Sequence, residues 1–167
     1  MLFGQRLRAL AGWIATLAVA AAFAVAVAAF FELLSHSGEE RSQVLRGYEW
    51  FVSGDLRVAF DLRWDPLSAL MALVVTGVSS LIHLYSIGYM AGENRRGTYF
   101  AYLNLFVAAM LLLVVANDYL VLYVGWEGVG LASYLLIGFW YYKPSAATAA
   151  KKAFVVNRVG DVGMSLA

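Results

Sequence analysis

Cysteine is absent from the 167 residues, and histidine occurs only as His36 and His83. Without thiols the chain forms no disulfide and offers no thiolate metal site, and two distant histidines make no ligand pair. No metal site is therefore expected. Charge is also scarce. Only 14% of residues are charged, 12 basic and 11 acidic, for a net charge of +1. A soluble domain carries about 25% charged residues. A balance near zero lacks the basic excess of a nucleic-acid binder, and disorder needs high charge with low hydrophobicity. There is no GxGxxG, no P-loop and no cysteine cluster, so no nicotinamide, flavin or iron–sulfur centre is expected in this chain.

What fills the chain is apolar surface, at 62% of residues. A membrane helix needs about 20 mostly apolar residues to cross a hydrocarbon core of roughly 30 Å. Residues 11–31 carry no charge, nor do 66–92 apart from His83, nor 97–117. Residues 119–142 contain one charge, Glu127, and 153–167 begin a fifth stretch that carries Arg158 and Asp161. Four spans and part of a fifth are expected: an all-α polytopic membrane bundle. The run 11–31 is longer than the 7–15 residues of a signal-peptide core and further spans follow, so it reads as a membrane helix.

Short polar turns separate the spans at 91–97 and 117–118, and Lys143-Pro144-Ser145 ends a helix. The longer segment 35–65 alternates from Leu56: Leu56, Val58, Phe60, Leu62 and Trp64 on one face, Arg57, Asp61, Arg63 and Asp65 on the other. That is strand periodicity. With Ser53-Gly54-Asp55 as turn and Tyr48–Val52 as partner, it predicts a β-hairpin on the membrane surface. Three units follow: 1–34, a basic start and a membrane helix; 35–65, the hairpin loop; 66–167, the remaining membrane helices.

Alternating the loops between two sides separates the charges. One side (1–10, 91–97, 143–152) holds seven basic residues, Arg6, Arg8, Arg95, Arg96, Lys143, Lys151 and Lys152, with one acid, Glu93. The other (32–65, 117–118) holds four basic and eight acidic residues. Basic loops face the cytoplasm, which places the hairpin outside.

Three charges fall within spans. A charge at the bilayer centre costs about 2.5–3.5 kcal/mol on insertion scales and marks a functional site by default. Glu127 sits among Gly125, Gly128 and Gly130, small residues that let a helix or water approach. Burial favours its neutral acid and a neighbouring cation favours the carboxylate, so a carboxyl held between the two influences suits proton loading. The other reading is a static interhelical hydrogen bond. Arg158 and Asp161 share a helix face; they either neutralise each other or, with Lys151 two turns earlier, line a polar path from the cytoplasmic side. His83 is either a packing residue or a proton relay that titrates near neutral pH. Aromatic residues near span ends, among them Trp64, Tyr89 and Trp140, read as interfacial anchors.

Residues 122–138, Leu-Tyr-Val-Gly-Trp-Glu-Gly-Val-Gly-Leu-Ala-Ser-Tyr-Leu-Leu-Ile-Gly, resemble the fifth-helix signature of subunit L of respiratory complex I, subunit 5 in mitochondria. Asn157-Arg158-Val159-Gly160-Asp161-Val162-Gly163 is similar to the sixth-helix motif of that family, and Asp65-Pro66-Leu67-Ser68, Leu81–Ser86 and Gly88-Tyr89-Met90 fit as well. Related cation/proton antiporter subunits share the Trp-Glu pair but generally lack the Glu-Gly-Val-Gly continuation.

The resemblance implies an antiporter-like, proton-translocating subunit of NADH–quinone oxidoreductase. It implies a proton-loading role for Glu127, paired with a lysine on a seventh helix, and places Arg158 and Asp161 in the polar network. It implies flavin, iron–sulfur clusters and quinone in other subunits, an adjacent antiporter-like subunit as partner, and a plasma or inner membrane location. The family's subunit is much longer, with a lateral helix near its C-terminus. This chain is expected to be its front part, opening after the first helix, ending within the sixth, and inactive alone. Two alternatives stand: a subunit of a multisubunit cation/proton antiporter, and a non-pumping structural membrane subunit.

Overall fold

The computed structural model describes residues 2–36, 38–54 and 56–166; the side chains of residues 2–9, 39, 40 and 56 also lie outside the described set. Of the charges used for orientation, the side chains of Arg6, Arg8, Glu39 and Glu40, and all of Asp55, therefore lie outside the described residues.

Five helices run in chain order: α1 (Leu2–Ser35), α2 (Pro66–Tyr89), α3 (Arg96–Val115), α4 (Tyr119–Ile137) and α5 (Pro144–Leu166). Four segments, Leu10–Ser35, Pro66–Tyr89, Arg96–Val115 and Tyr119–Ile137, are long and apolar enough to cross a membrane. Three boundaries differ from the sequence reading. α1 continues past Phe31 through Glu32 to Ser35, because nothing before that point breaks the helix. α4 stops at Ile137, and turns cover residues 138–142, because Gly138 lies at its C-cap. α5 starts at Pro144, not Ala153, so Lys151 and Lys152 belong to a helix and not to a loop. Pro144 therefore ends no helix, contrary to the sequence reading of Lys143-Pro144-Ser145: it lies beyond the turns and opens α5, since the first turn needs no N–H from it.

Local chemistry sets the helix starts. Asp65 caps α2: its Oδ1 accepts from Ser68 N at 2.8 Å, and Ser68 Oγ accepts from Asp65 N at 2.8 Å, a reciprocal capping box with Pro66 following. Asp118 caps α4 by accepting from Leu120 N at 2.8 Å.

The hairpin is present and longer than the alternation alone indicated. β2 (Glu49–Ser53) pairs antiparallel with β3 (Leu56–Ala59), and Gly54 in the turn has a φ of +60° that favours glycine. Below an irregularity, β1 (Gln43–Leu45) pairs with β4 (Leu62–Trp64). At that break Tyr48 and Phe60 stack with centroids 5.7 Å apart. The hairpin is tied to the helices where Asn117 N donates to Asp61 O at 3.1 Å.

α1 packs on α2 and α3, α3 on α4, and α4 on α5. The α3–α4 approach is close because of glycine. A Cβ on Gly125 would lie 2.7 Å from the backbone nitrogen of Leu113, and one on Gly128 2.8 Å from the Ala109 methyl. Small residues that admit a neighbouring backbone are how membrane helices gain packing when lipid supplies no hydrophobic drive. With those glycines turned toward α3, Glu127 points to α5.

Candidate functional site

α4 and α5 bring Glu127, Arg158 and Asp161 together. Arg158 Nη1 donates to Glu127 Oε1 at 2.6 Å, and the same nitrogen lies 3.5 Å from Asp161 Oδ2. Asp161 Oδ1 accepts from Trp126 Nε1 at 2.8 Å. Tyr123 lies one turn before Glu127, on the same face of α4. Arg158 also lies over the Phe154 ring, 5.0 Å from its centroid. The result is one permanent cation between two carboxylates, since an arginine does not deprotonate in proteins.

The three charges are not equally buried. The Asp161 side chain is 6% exposed, Glu127 26% and Arg158 49%. A cavity of about 220 Å³ lies against them, lined also by Gly130, Ser133 and Asn157. The deepest carboxylate thus has the indole donor in place and the guanidinium at ion-pair distance, while Glu127 borders open space. A guanidinium with five N–H donors in a planar fork can redistribute between two carboxylates without losing its charge.

Lys151 does not join this group. It lines a separate cavity of about 320 Å³ with Arg95 and Tyr134. Tyr134 and Phe154, in edge contact at 5.4 Å, stand between the two spaces. The row Lys151, Arg158, Asp161 is correct as helical spacing, but aromatic packing divides it. His83 lies elsewhere again. It is fully buried, with Nδ1 2.8 Å from Ser79 O and Nε2 3.0 Å from Asn104 Oδ1. Both ring nitrogens are engaged, one within α2 and one with α3, and no hydrogen bond among the described residues joins His83 to Glu127.

Helical spacing puts Tyr123 on the face of Glu127, but it does not single out Trp126, Asn157 or Ser133 as site residues. Trp126 had a signal: a bulky indole beside an intramembrane acid brings a donor as well as an apolar ring. Asn157 and Ser133 are polar positions in apolar helices, a weaker signal of the same kind.

Comparison with known proteins follows this geometry. Residues 50–100 match the family described as NADH-Ubiquinone oxidoreductase (complex I), chain 5 N-terminus. Residues 116–167, which carry the site, match NADH:quinone oxidoreductase/Mrp antiporter, TM. The class is therefore that of antiporter-like, multi-pass membrane subunits. The chain is 55% identical over 163 residues to NADH-quinone oxidoreductase subunit L of Mycobacterium tuberculosis (strain CDC 1551 / Oshkosh), covering 98% of this chain and 26% of that protein. The Escherichia coli (strain K12) subunit L is 53% identical over 120 residues, 72% of this chain and 20% of that one. The F(420)H(2) dehydrogenase subunit L of Methanosarcina mazei is 45% identical over 96% of this chain and 23% of its own length. Among solved structures, the Mrp complex from Dietzia sp. DQ12-45-1b aligns over 99% of this chain and 18% of that one, at 25% identity and a TM-score of 0.69. The chain belongs to the complex I chain 5, or subunit L, family. It spans about a quarter of the length of the relatives it matches.

Proposed function

We propose that the chain forms the front part of a proton-translocating subunit of NADH–quinone oxidoreductase, in which Glu127 loads and releases a proton under the control of Arg158. The observation that carries this reading is the position of Arg158 Nη1, 2.6 Å from Glu127 and 3.5 Å from Asp161. When the guanidinium sits on Glu127 it favours the carboxylate; when it moves to Asp161, Glu127 is left without its cation in a low-dielectric setting and binds a proton. A conformational or charge change that moves Arg158 is thereby converted into proton uptake or release. Trp126 holds Asp161 in position to receive the guanidinium. A lysine from a seventh helix would complete the pair with Glu127. Flavin, iron–sulfur clusters and quinone belong to other subunits, an adjacent antiporter-like subunit is the immediate partner, and the basic loops face the cytoplasm of a plasma or inner membrane.

The test is made in the full-length subunit within the assembled complex. Asp161→Asn removes the competing carboxylate and Arg158→Gln removes the cation. Vesicle proton uptake per quinone reduced falls in both if the exchange matters. An unchanged ratio in both variants contradicts it.

The likeness to the Mrp complex supports a second reading, a cation/proton antiporter subunit with no redox partner. It predicts sodium-driven proton movement in vesicles that lack quinone-reductase subunits. The higher identity to subunit L relatives, 55% against 25%, favours the first.

A further inference from the structure

A groove of about 500 Å³ opens between α1, α2 and α3 under the β1–β4 end of the hairpin. Its walls are small and apolar: Ala22, Ala26 and Ala29 of α1 face Ala72 of α2 and Leu111 of α3. From Ala22 to Leu33 it follows α1 for about 16 Å, at 1.5 Å per residue. That is close to one leaflet, half of a hydrocarbon core roughly 30 Å thick.

Apart from Thr76, whose hydroxyl donates to Ala72 O at 2.6 Å, polar groups gather at the hairpin end. Trp64 Nε1 is buried there and has no hydrogen-bond partner among the described residues. An indole N–H is a donor only, so it asks for an acceptor that the described chain does not provide. Gln43 and the exposed Glu32 line the same mouth. The nearby Arg41 turns its guanidinium to the carbonyl oxygens of His36 and Leu34, and Glu32 has no ion pair among the described residues.

We infer that this groove binds one acyl chain of a zwitterionic amine phospholipid of the phosphatidylethanolamine class, in the leaflet on the hairpin side. The chain fills the alanine-lined slot. An ester carbonyl or phosphate oxygen accepts from Trp64 Nε1, and the ammonium group lies against the Glu32 carboxylate. The acid at the mouth selects against lipids with net negative headgroups, while the orphan donor selects for an acceptor at that depth. Neither Glu127 nor Arg158 lines the groove, so the inference stands or falls apart from the pumping reading.

The test uses the full-length subunit in its assembled complex, reconstituted with a phosphatidylethanolamine that carries a diazirine on its acyl chain. After photolysis, labelled residues are mapped by mass spectrometry. Label is expected on the α1 and α2 groove residues, with unlabelled phosphatidylethanolamine competing better than phosphatidylglycerol. Trp64→Phe, which removes the N–H together with part of the indole ring, should cut labelling by at least about three- to tenfold, the loss that one hydrogen bond alone would give. Glu32→Gln should leave labelling in place and abolish the preference between the two competitors. Absence of label in the groove, as when a protein segment covers it, overturns the proposal. So does label that phosphatidylglycerol displaces equally well in the wild type, or that Trp64→Phe leaves unchanged.

Discussion

Glu93, in the turn between α2 and α3, shows how one carboxylate holds a connection together. Its Oε2 accepts from Trp140 Nε1 at 3.0 Å and its Oε1 from Arg95 N at 3.3 Å. The Trp140 hydrogen bond first, then the Arg95 backbone, holds this carboxyl below the ordinary glutamate value. A lowered value means that the link stabilises the fold fully above the ordinary carboxylate range and is lost as pH falls through the lowered value. With Trp140 as the sole tryptophan in the full-length subunit, its emission should therefore titrate with a midpoint below the ordinary glutamate value. Glu93→Gln should remove that transition. A midpoint at or above the ordinary value contradicts the contact.

Residue-scale legibility was uneven for reasons of range. Glu127 stood out because a lone acid in an apolar span has few explanations. Arg158 and Asp161 were related by the spacing of a single helix. Their meeting with Glu127 depends on how α5 sits against α4, which no spacing within one helix encodes. The same limit explains Lys151, which shares a helical face with Arg158 yet lies beyond the Tyr134–Phe154 contact.

At the scale of elements, α4 is a helix with two different faces. Gly125 and Gly128 admit α3, and Glu127 meets α5. Gly125→Ala would push its methyl into the Leu113 backbone, and overpacking of this kind costs about 1–3 kcal/mol. Gly130→Ala would meet Asn157 Nδ2 at 3.4 Å, an ordinary contact. The full-length subunit should thus lose thermal stability in detergent with Gly125→Ala and keep it with Gly130→Ala; equal melting temperatures would mean that the α3–α4 approach is looser than described. At the start of α2, Asp65→Ala removes the cap, a loss of about 1 kcal/mol, and should be visible in the same melting assay. Had the cap no role, its melting temperature would match the wild type.

Element existence followed from hydropathy, and element ends did not. Charged Lys151 and Lys152 read as loop residues, but Pro144 had already begun a helix that tolerates them on exposed positions. The two-residue alternation located β3 and β4. It missed that β1 extends the hairpin, because three-residue strands leave too short a pattern to detect.

For the whole molecule, the distribution of charge makes a claim about direction. The hairpin joins the C-terminal end of α1 to the N-terminal end of α2, and the α3–α4 turn lies beside it. The connections α2–α3 and α4–α5 form the opposite end, where Arg95 Nη1 donates to Phe139 O. The absence of native cysteine in this segment makes single-cysteine labelling direct. Ser53→Cys in the hairpin should react with an impermeant maleimide from outside intact cells, and Lys152→Cys should react only after the membrane is opened. The reverse pattern would invert the proposed orientation.

The central claim is that a proton on Glu127 is part of the pumping cycle. Glu127→Gln keeps the size and a hydrogen-bonding amide but cannot load that proton. The most direct measurement is proton uptake per quinone reduced, in vesicles of complex carrying this variant and assembled to wild-type levels. The account predicts a ratio below wild type. A wild-type ratio would contradict it and leave Glu127 as an interhelical contact with Arg158.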